Sequence, residues 1–315
     1  MKALKTLIFI SLIGVLFIGC SPSDEASSDV TDELTIYTTI YPIQYAAERI
    51  GGDSVETESV FPPGVDAHTY EPSTKDMTAI ADSDAFIYLG AGLEAFAETA
   101  ATALGSQDVA LVELGQKEEL FHTENEEEHS GENHDHHGHD HGDHDPHIWI
   151  DPLRMLEMAT MIKEEMILLN PGHEELYEDN FAVLEQELNE LHEEFSGILD
   201  EKENKRILVS HAAFGYWESR YGIEQISIHG LSSSNEPSQK DLTEIINTAE
   251  EHNMEYVIFE QNVSTSVSEI IQDQIGAEAL VIHNLSVLTD EDLEANENYF
   301  SLMEKNLEVL DQATN

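Results

Sequence analysis

A chain of 315 residues with 65 aspartates and glutamates against 13 lysines and arginines carries a formal charge of −52. That field repels phosphate backbones and anionic headgroups, which excludes nucleic acid and anionic lipid as surface partners. The one cysteine excludes an intramolecular disulfide.

Lys2 and Lys5 stand ahead of an apolar run from Leu7 to Ile18, too short and too terminal for a membrane-spanning helix and suited to a secretory signal. Gly19-Cys20 directly after it resembles a bacterial lipoprotein cleavage site, with Phe17 where leucine is usual. The resemblance implies a signal peptide over residues 1–19 and a lipid on Cys20, which would be the only attachment to a membrane. Residues 20–33 are polar and charged, the composition of a flexible tether.

Strand and helix patterns then alternate. Leu34 to Ile40 reads as a strand, ended by Tyr41-Pro42, and Ile43 to Ile50 as a helix stopped by Gly51-Gly52. Val55 to Val60 is a strand closing in Phe61-Pro62-Pro63-Gly64, a turn, with His68 just beyond it. A helix from Thr74, a strand from Ala85 to Leu89, a helix from Leu93 to Ala103 and a strand from Val109 to Leu111 follow. Leu153 to Leu169 is helical, and His173 to Asp200 carries one long helical pattern. The alternation resumes with strands over 206–209, 225–228, 256–259 and 280–282, helices from Gln239 and Val267, and a terminal helix over 292–310. His211 falls in a turn after the first of these strands.

Alternating strands and helices predict an α/β fold built from parallel sheets. Glu71-Pro72-Ser73-Thr74-Lys75-Asp76-Met77 recurs as Glu236-Pro237-Ser238-Gln239-Lys240-Asp241-Leu242, and each copy opens a helix with a Ser-x-x-Asp capping pattern. The economical reading is two similar lobes, one over residues 34–170 and one over 204–315, joined by a long helix over 171–203.

The 26 residues from His122 to His147 hold nine of the sixteen histidines and nine aspartates or glutamates. Imidazole and carboxylate are ligands for a borderline divalent cation, so His122, His129, His134, His136, His137, His139, His141 and His144 are expected to form an auxiliary metal-collecting loop over 122–145. A solvated loop collects metal but fixes no geometry. Sharper candidates lie at ordered positions, because ligands in α/β folds bind beyond the carboxyl ends of strands. His68 and His211 follow strands, and His147 precedes the helix start at Asp151-Pro152. Glu260 closes an apolar strand, where a carboxylate is costly unless paired or metal-bound, and His283-Asn284 is the runner-up as fourth ligand. His173, His192, His229 and His252 belong to no group.

The segments TTIYPIQYAAERIGGD, VFPPGVDAHTYEPS, DPHIWIDP, NPGHEELYEDNF, SHAAFGYWESRYGI, GLSSSNEPS and IFEQNVS resemble those of the metal-binding lipoprotein component of bacterial ABC importers for zinc and manganese. That family has two α/β lobes joined by a rigid helix, with a metal bound in the cleft. The resemblance implies His68, His147 and His211 as the first three ligands and Glu260 as the fourth. His283-Asn284-Leu285 departs from the family's commoner Asn-Pro-Leu type of sequence. Three imidazoles and a carboxylate favour Zn²⁺ over Mn²⁺, which prefers more oxygen. The implied function is extracytoplasmic capture of Zn²⁺, as transported ligand, by a lipid-anchored monomer that delivers it to a membrane permease. The other readings are a manganese-binding homologue, a surface adhesin or metal-buffering protein, and a secreted zinc hydrolase. The last is disfavoured because no His-Glu-x-x-His motif is present.

The charge excess also predicts self-repulsion that salt relieves, as suits a saline or alkaline surrounding. The urea midpoint is expected to rise between low and molar NaCl. A midpoint that does not move contradicts this.

Overall fold

The structure, a computed structural model, describes residues 33–122, 144–232, 237–262 and 266–314. Cys20, the signal and tether segments, and His129, His134, His136, His137, His139 and His141 lie outside the described residues.

In chain order the first half comprises β1 (Leu34–Thr38), α1 (Tyr41–Gly51), β2 (Val55–Ser59), α2 (Thr74–Ala81), β3 (Ala85–Tyr88), α3 (Ala97–Leu104) and β4 (Ala110–Glu113). Next come α4 (Pro152–Leu169) and α5 (Glu174–Leu199). The second half comprises β5 (Arg206–His211), α6 (Gly215–Tyr221), β6 (Glu224–His229), α7 (Gln239–Glu251), β7 (Tyr256–Glu260), α8 (Ser266–Ile275), β8 (Glu278–Ile282), α9 (Asp290–Ala295) and α10 (Tyr299–Ala313). The two sheets are parallel throughout and run β2-β1-β3-β4 and β6-β5-β7-β8, the same order twice. In such an order the chain reverses direction across the sheet between the first and third strands, and the crevice opens at their carboxyl ends. His211 ends β5 and Glu260 ends β7, the two strands that flank this point in the second sheet.

The repeated Glu-Pro-Ser segment does the same local work in both halves. Asp76 N–H donates to Ser73 Oγ at 3.3 Å and Ser73 N–H to Asp76 Oδ2 at 2.7 Å. The same pair of bonds joins Ser238 and Asp241 at 3.3 and 2.9 Å. Each box supplies partners for donors that a helix start otherwise leaves free.

Four local expectations shift. Pro42 does not end a strand segment but sits in the first turn of α1, where its fixed φ and missing N–H cost nothing. The α3 helix starts at Ala97 rather than Leu93, because Glu94 is claimed by the loop before it. Its carboxylate accepts from the Thr39 hydroxyl at 2.5 Å, from Leu89 N–H at 3.1 Å and from Gly90 N–H at 2.9 Å. The terminal helix is two helices, parted at Asn296, which adopts a left-handed φ of 57° that asparagine tolerates. His211 is the last residue of a strand, not part of a turn.

The 26 residues of α5 span about 39 Å at 1.5 Å per residue. Its buried stripe, Leu184, Leu188, Leu191, Phe195 and Leu199, packs along α1 and α4 on one side and α6 and α10 on the other. One continuous apolar core runs through both halves, from Ile36 and Ile87 through Trp149 and Phe195 to Trp217, Leu285 and Tyr299. A smaller cluster around Leu208, Val257 and Ile271 lies under α7 and α8 on the outer face of the second sheet. Among the described residues no helix is long and apolar enough to cross a membrane.

The segment from Asp145 to Asp151 crosses between the halves and is hydrogen-bonded into the second. The Tyr216 hydroxyl donates to Asp145 O at 2.6 Å, Trp217 Nε1 to Ile150 O at 2.7 Å and the Tyr299 hydroxyl to Trp149 O at 2.7 Å. Arg220 Nε meets Asp151 Oδ2 at 2.8 Å, and Trp149 Nε1 donates to Asn284 O at 2.8 Å. Because Tyr299 and Trp149 are fully buried, Tyr299→Phe leaves a dry carbonyl without its donor and is expected to cost about 1–3 kcal/mol. Urea unfolding should show one transition at a lowered midpoint. An unchanged midpoint contradicts this view of the strap.

Candidate metal centre

Three histidines from separate parts of the chain meet beside this strap. Among the described residues, His68, His147 and His211 form the one group of metal-ligating side chains whose ligand atoms all lie within 4.8 Å of one another. His68 Nε2 and His147 Nε2 are 3.3 Å apart. Nitrogens bound at 2.0–2.1 Å on a tetrahedral Zn²⁺ are separated by about 3.3–3.4 Å, so this spacing already fits the ion. The ring centroids of His211 lie 4.9 Å from those of His147 and 5.5 Å from those of His68.

Two of the three imidazoles are held at Nδ1 by a carboxylate. The Asp145 Oδ1 atom accepts from His147 N–H at 3.0 Å and pairs with His147 Nδ1 at 2.7 Å, which turns Nε2 toward the centre. Asp66 Oδ1 accepts from His68 N–H at 2.9 Å, the same two-residue turn. The pattern Asp-x-His, present at 66–68 and again at 145–147, was therefore a legible signal that reading the histidines alone missed. Behind His211 stands Glu260, whose oxygens lie 2.8 and 2.9 Å from Nδ1.

Glu260, expected as the fourth ligand, stands beside the three histidines against His211 Nδ1. Glu260 does not join the three-histidine group; its carboxylate, 4% exposed, also accepts from the Ser210 hydroxyl at 3.0 Å and from Asn284 Nδ2 at 2.8 Å. A buried carboxylate is stabilised by as many donors as reach it, and here they hold it against His211 Nδ1, while His211 Nε2 lies 3.2 Å from the Leu231 carbonyl. The runner-up His283 is also turned away, with Nε2 on Asp292 Oδ2 at 3.0 Å and Nδ1 accepting from Leu285 N–H at 3.0 Å. Asn284 does line the cavity, together with Ser286, Leu93 and Trp149. The cavity among these residues measures about 10 Å³, the scale of one water molecule or ion.

The electrostatics differ from ring to ring. Burial, followed by the neighbouring His147 and His211, lowers the His68 pKa to about 4, so its ring is neutral and its lone pair free at ordinary pH. Burial acts the same way on His211, but the charge and hydrogen bond of Glu260 and the Leu231 carbonyl outweigh it and the pKa is raised. Glu260 is pushed up by burial and pulled down further by His211, Asn284 and Ser210, so its carboxyl stays ionised.

The described ends of the histidine-rich loop are both anchored. The Arg154 guanidinium donates to the carbonyls of Leu120 and His122, and exposed His144 stacks on Phe121 with centroids 5.4 Å apart. His229 is buried with Nδ1 2.6 Å from Ser210 O, and His192 Nδ1 lies 3.1 Å from the Tyr221 hydroxyl; neither joins the centre.

Asp145 is also pressed against α6, since a Cβ on Gly215 would come within 2.6 Å of Asp145 Oδ2. Asp145→Ala is expected to weaken Zn²⁺ binding about 10–100-fold while one ion is still bound, and Gly215→Ala should move affinity in the same direction. Competition against a chromophoric chelator measures both. An Asp145→Ala protein with unchanged affinity contradicts the orienting role.

Comparison with known proteins finds relatives named for zinc binding and zinc uptake. The family model for ZnuA, zinc-uptake complex component A, periplasmic, matches residues 36–313. The chain is 31% identical over 318 residues to the zinc-binding lipoprotein AdcA of Streptococcus pneumoniae, covering 98% of this chain and 60% of that protein. It is 31% identical over 292 residues to the high-affinity zinc uptake system protein ZnuA of Bacillus subtilis, covering 93% of this chain and 91% of that one. The chain thus spans about 60% of the length of the streptococcal relatives it matches. The crystal structure of the Zn(II)-bound ZnuA-like domain of Streptococcus pneumoniae AdcA superposes with a TM-score of 0.72 at 30% identity, over 90% of this chain and 99% of that one. With the family model covering nearly all of the described chain, this protein belongs to the family of ZnuA, the periplasmic zinc-uptake component A.

Proposed function

We propose that this protein captures one Zn²⁺ outside the cytoplasm and delivers it to the membrane permease of an ABC importer. The observation that carries the reading is the convergence of His68, His147 and His211, with two Nε2 atoms already at a tetrahedral spacing. A centre made of imidazole suits Zn²⁺, while Mn²⁺ prefers oxygen-rich sites. The high-affinity zinc uptake protein of Bacillus subtilis, similar over most of both chains, supports the transport role. Cys20 is the residue through which a lipid would hold the protein at the membrane. The eight histidines from His122 to His144 supply weak, fast sites that raise the local concentration of the ion.

Release requires the three rings to part. The strap carrying His147 is bonded to Tyr216, Trp217, Arg220 and Tyr299 of the second half, so His147 and His211 move together. The parting then falls between His68 and the other two. His68 rides on the segment after β2, attached to the second half by Gly64 N–H to Leu288 O and Asn262 Nδ2 to Val65 O, each at 2.9 Å.

Titration calorimetry with Zn²⁺ tests the shared centre. Wild-type protein should hold one tight ion plus weaker ones, and deletion of residues 123–143 should keep the tight ion while lowering the total. His211→Ala should lose the tight ion. Equal tight affinity for His211→Ala and wild type overturns the shared centre.

A further inference from the structure

One edge of the second sheet is β8, and among the described residues no strand lies beyond it. Glu278 N–H donates to Glu255 O, just ahead of β7, at 2.8 Å, which turns every second residue of β8 toward β7. The N–H and C=O groups of Ala279 and Val281 therefore point out of the sheet. We infer that β8 is a docking edge for a partner protein, to which an extended segment with lysine or arginine at its two ends and apolar side chains between adds as a fifth strand.

Edge strands are ordinarily blunted by charge, proline, a bulge or a covering element. On the first sheet, β2 carries exposed Glu56 and Glu58, and β4 is half-buried along its length. The other edge of the second sheet, β6, turns Ile226 and Ile228 into the cluster under α7 and α8. Only β8 is left bare. It has one charged residue, Glu278, and no proline. Val281 is 60% exposed, and among the described residues it is the one large apolar side chain so exposed in any strand. The register explains this exposure. Ala279 pairs with Val257 and Val281 with Phe259, so all four share the outer face. Val257 and Phe259 belong to the cluster under α7 and α8, and that cover stops short of β8.

The two ends of β8 name the partner's charge. At its amino end lies a cavity of about 510 Å³ lined by exposed Glu250, Glu255 and Glu278, with Met254 and Ile275 to receive the aliphatic stem of a long cationic side chain. At its carboxyl end a cavity of about 590 Å³ brings Val281 together with Asp290, Glu291 and Asp292. Lys305 also lines it but is paired with Glu297 at 2.5 Å. A five-residue strand spans about 17 Å, the length of β8 from one cavity to the other. Cations at the ends of such a segment meet carboxylates, while Ala279 and Val281 gain apolar neighbours between them. Main-chain hydrogen bonds to the outward groups supply affinity, and the end charges select the partner. A second copy of this chain is the poorer occupant, because two chains of charge −52 repel each other.

Fluorescence anisotropy with a labelled pentapeptide, Lys-Val-Thr-Val-Arg with blocked termini, tests the edge on the wild-type protein. The peptide should bind, and the same peptide with glutamate at both ends should bind at least about tenfold more weakly. Methylating its alternate backbone nitrogens, which removes the donors facing β8, should abolish binding. In hydrogen exchange the amides of Ala279 and Val281 should gain protection when the peptide is added, while those of Leu280 and Ile282, already turned to β7, should change little. Val281→Lys sets a cation against the incoming ones, and Val281→Pro removes an outward N–H that β7 does not use; each should weaken the peptide about tenfold or more. No binding, equal binding of the glutamate-ended or the methylated peptide, or no gain of protection at Ala279 and Val281 overturns the inference. A wild-type protein that sediments as a dimer and becomes monomeric with Val281→Lys identifies a second copy as the occupant and also overturns it.

Discussion

The structure depends on the strap between Asp145 and Asp151. It carries His147 out of the first half of the chain, yet its carbonyls are held by the hydroxyls of Tyr216 and Tyr299 and by the indole of Trp217, all from the second. Trp149 returns the contact by donating to Asn284 O. In a dry core each of these bonds is costly to leave unmade. His147, from one half, is thereby placed in register with His211, from the other. The continuous apolar core across both halves keeps that register rigid.

Preorganisation extends to the rings themselves. An imidazole free to rotate would lose freedom on binding metal, whereas a ring fixed at Nδ1 by a carboxylate has already lost it. Asp145 and Glu260 both act at this position, one on His147 and one on His211. They also place negative charge beside the three-histidine group. His68 differs: Asp66 holds its backbone N–H, and its attachment to the second half is the lightest of the three. The group thus combines two rings fixed at Nδ1 by carboxylates with one that is not.

Much of this was legible in the residues. Alternating strands and helices gave the parallel sheets, and the repeated Glu-Pro-Ser-x-Lys-Asp segment pointed to two halves of like topology, since its serine and aspartate match a helix-capping pattern in both copies. His68, His147 and His211 stood out because each lies where a strand or loop hands over to the next element. What sequence could not convey was direction. Glu260 was located correctly at a strand end, but a position at the rim does not say which way a carboxylate faces, and the donors that turn it, Ser210 and Asn284, are 50 and 24 residues away. The late start of α3 has the same origin, in a Thr39 hydroxyl 55 residues from Glu94. The break before α10 is a local choice by Asn296 that apolar periodicity, continuous across it, does not register.

The central claim is that one cation sits among three imidazoles contributed by distant segments. Crystals grown with Zn²⁺ and measured on both sides of the zinc absorption edge test it most directly. The account predicts one strong anomalous peak about 2.0–2.1 Å from a ring nitrogen of each of His68, His147 and His211. A peak elsewhere on the molecule, with those three rings unengaged, would contradict it.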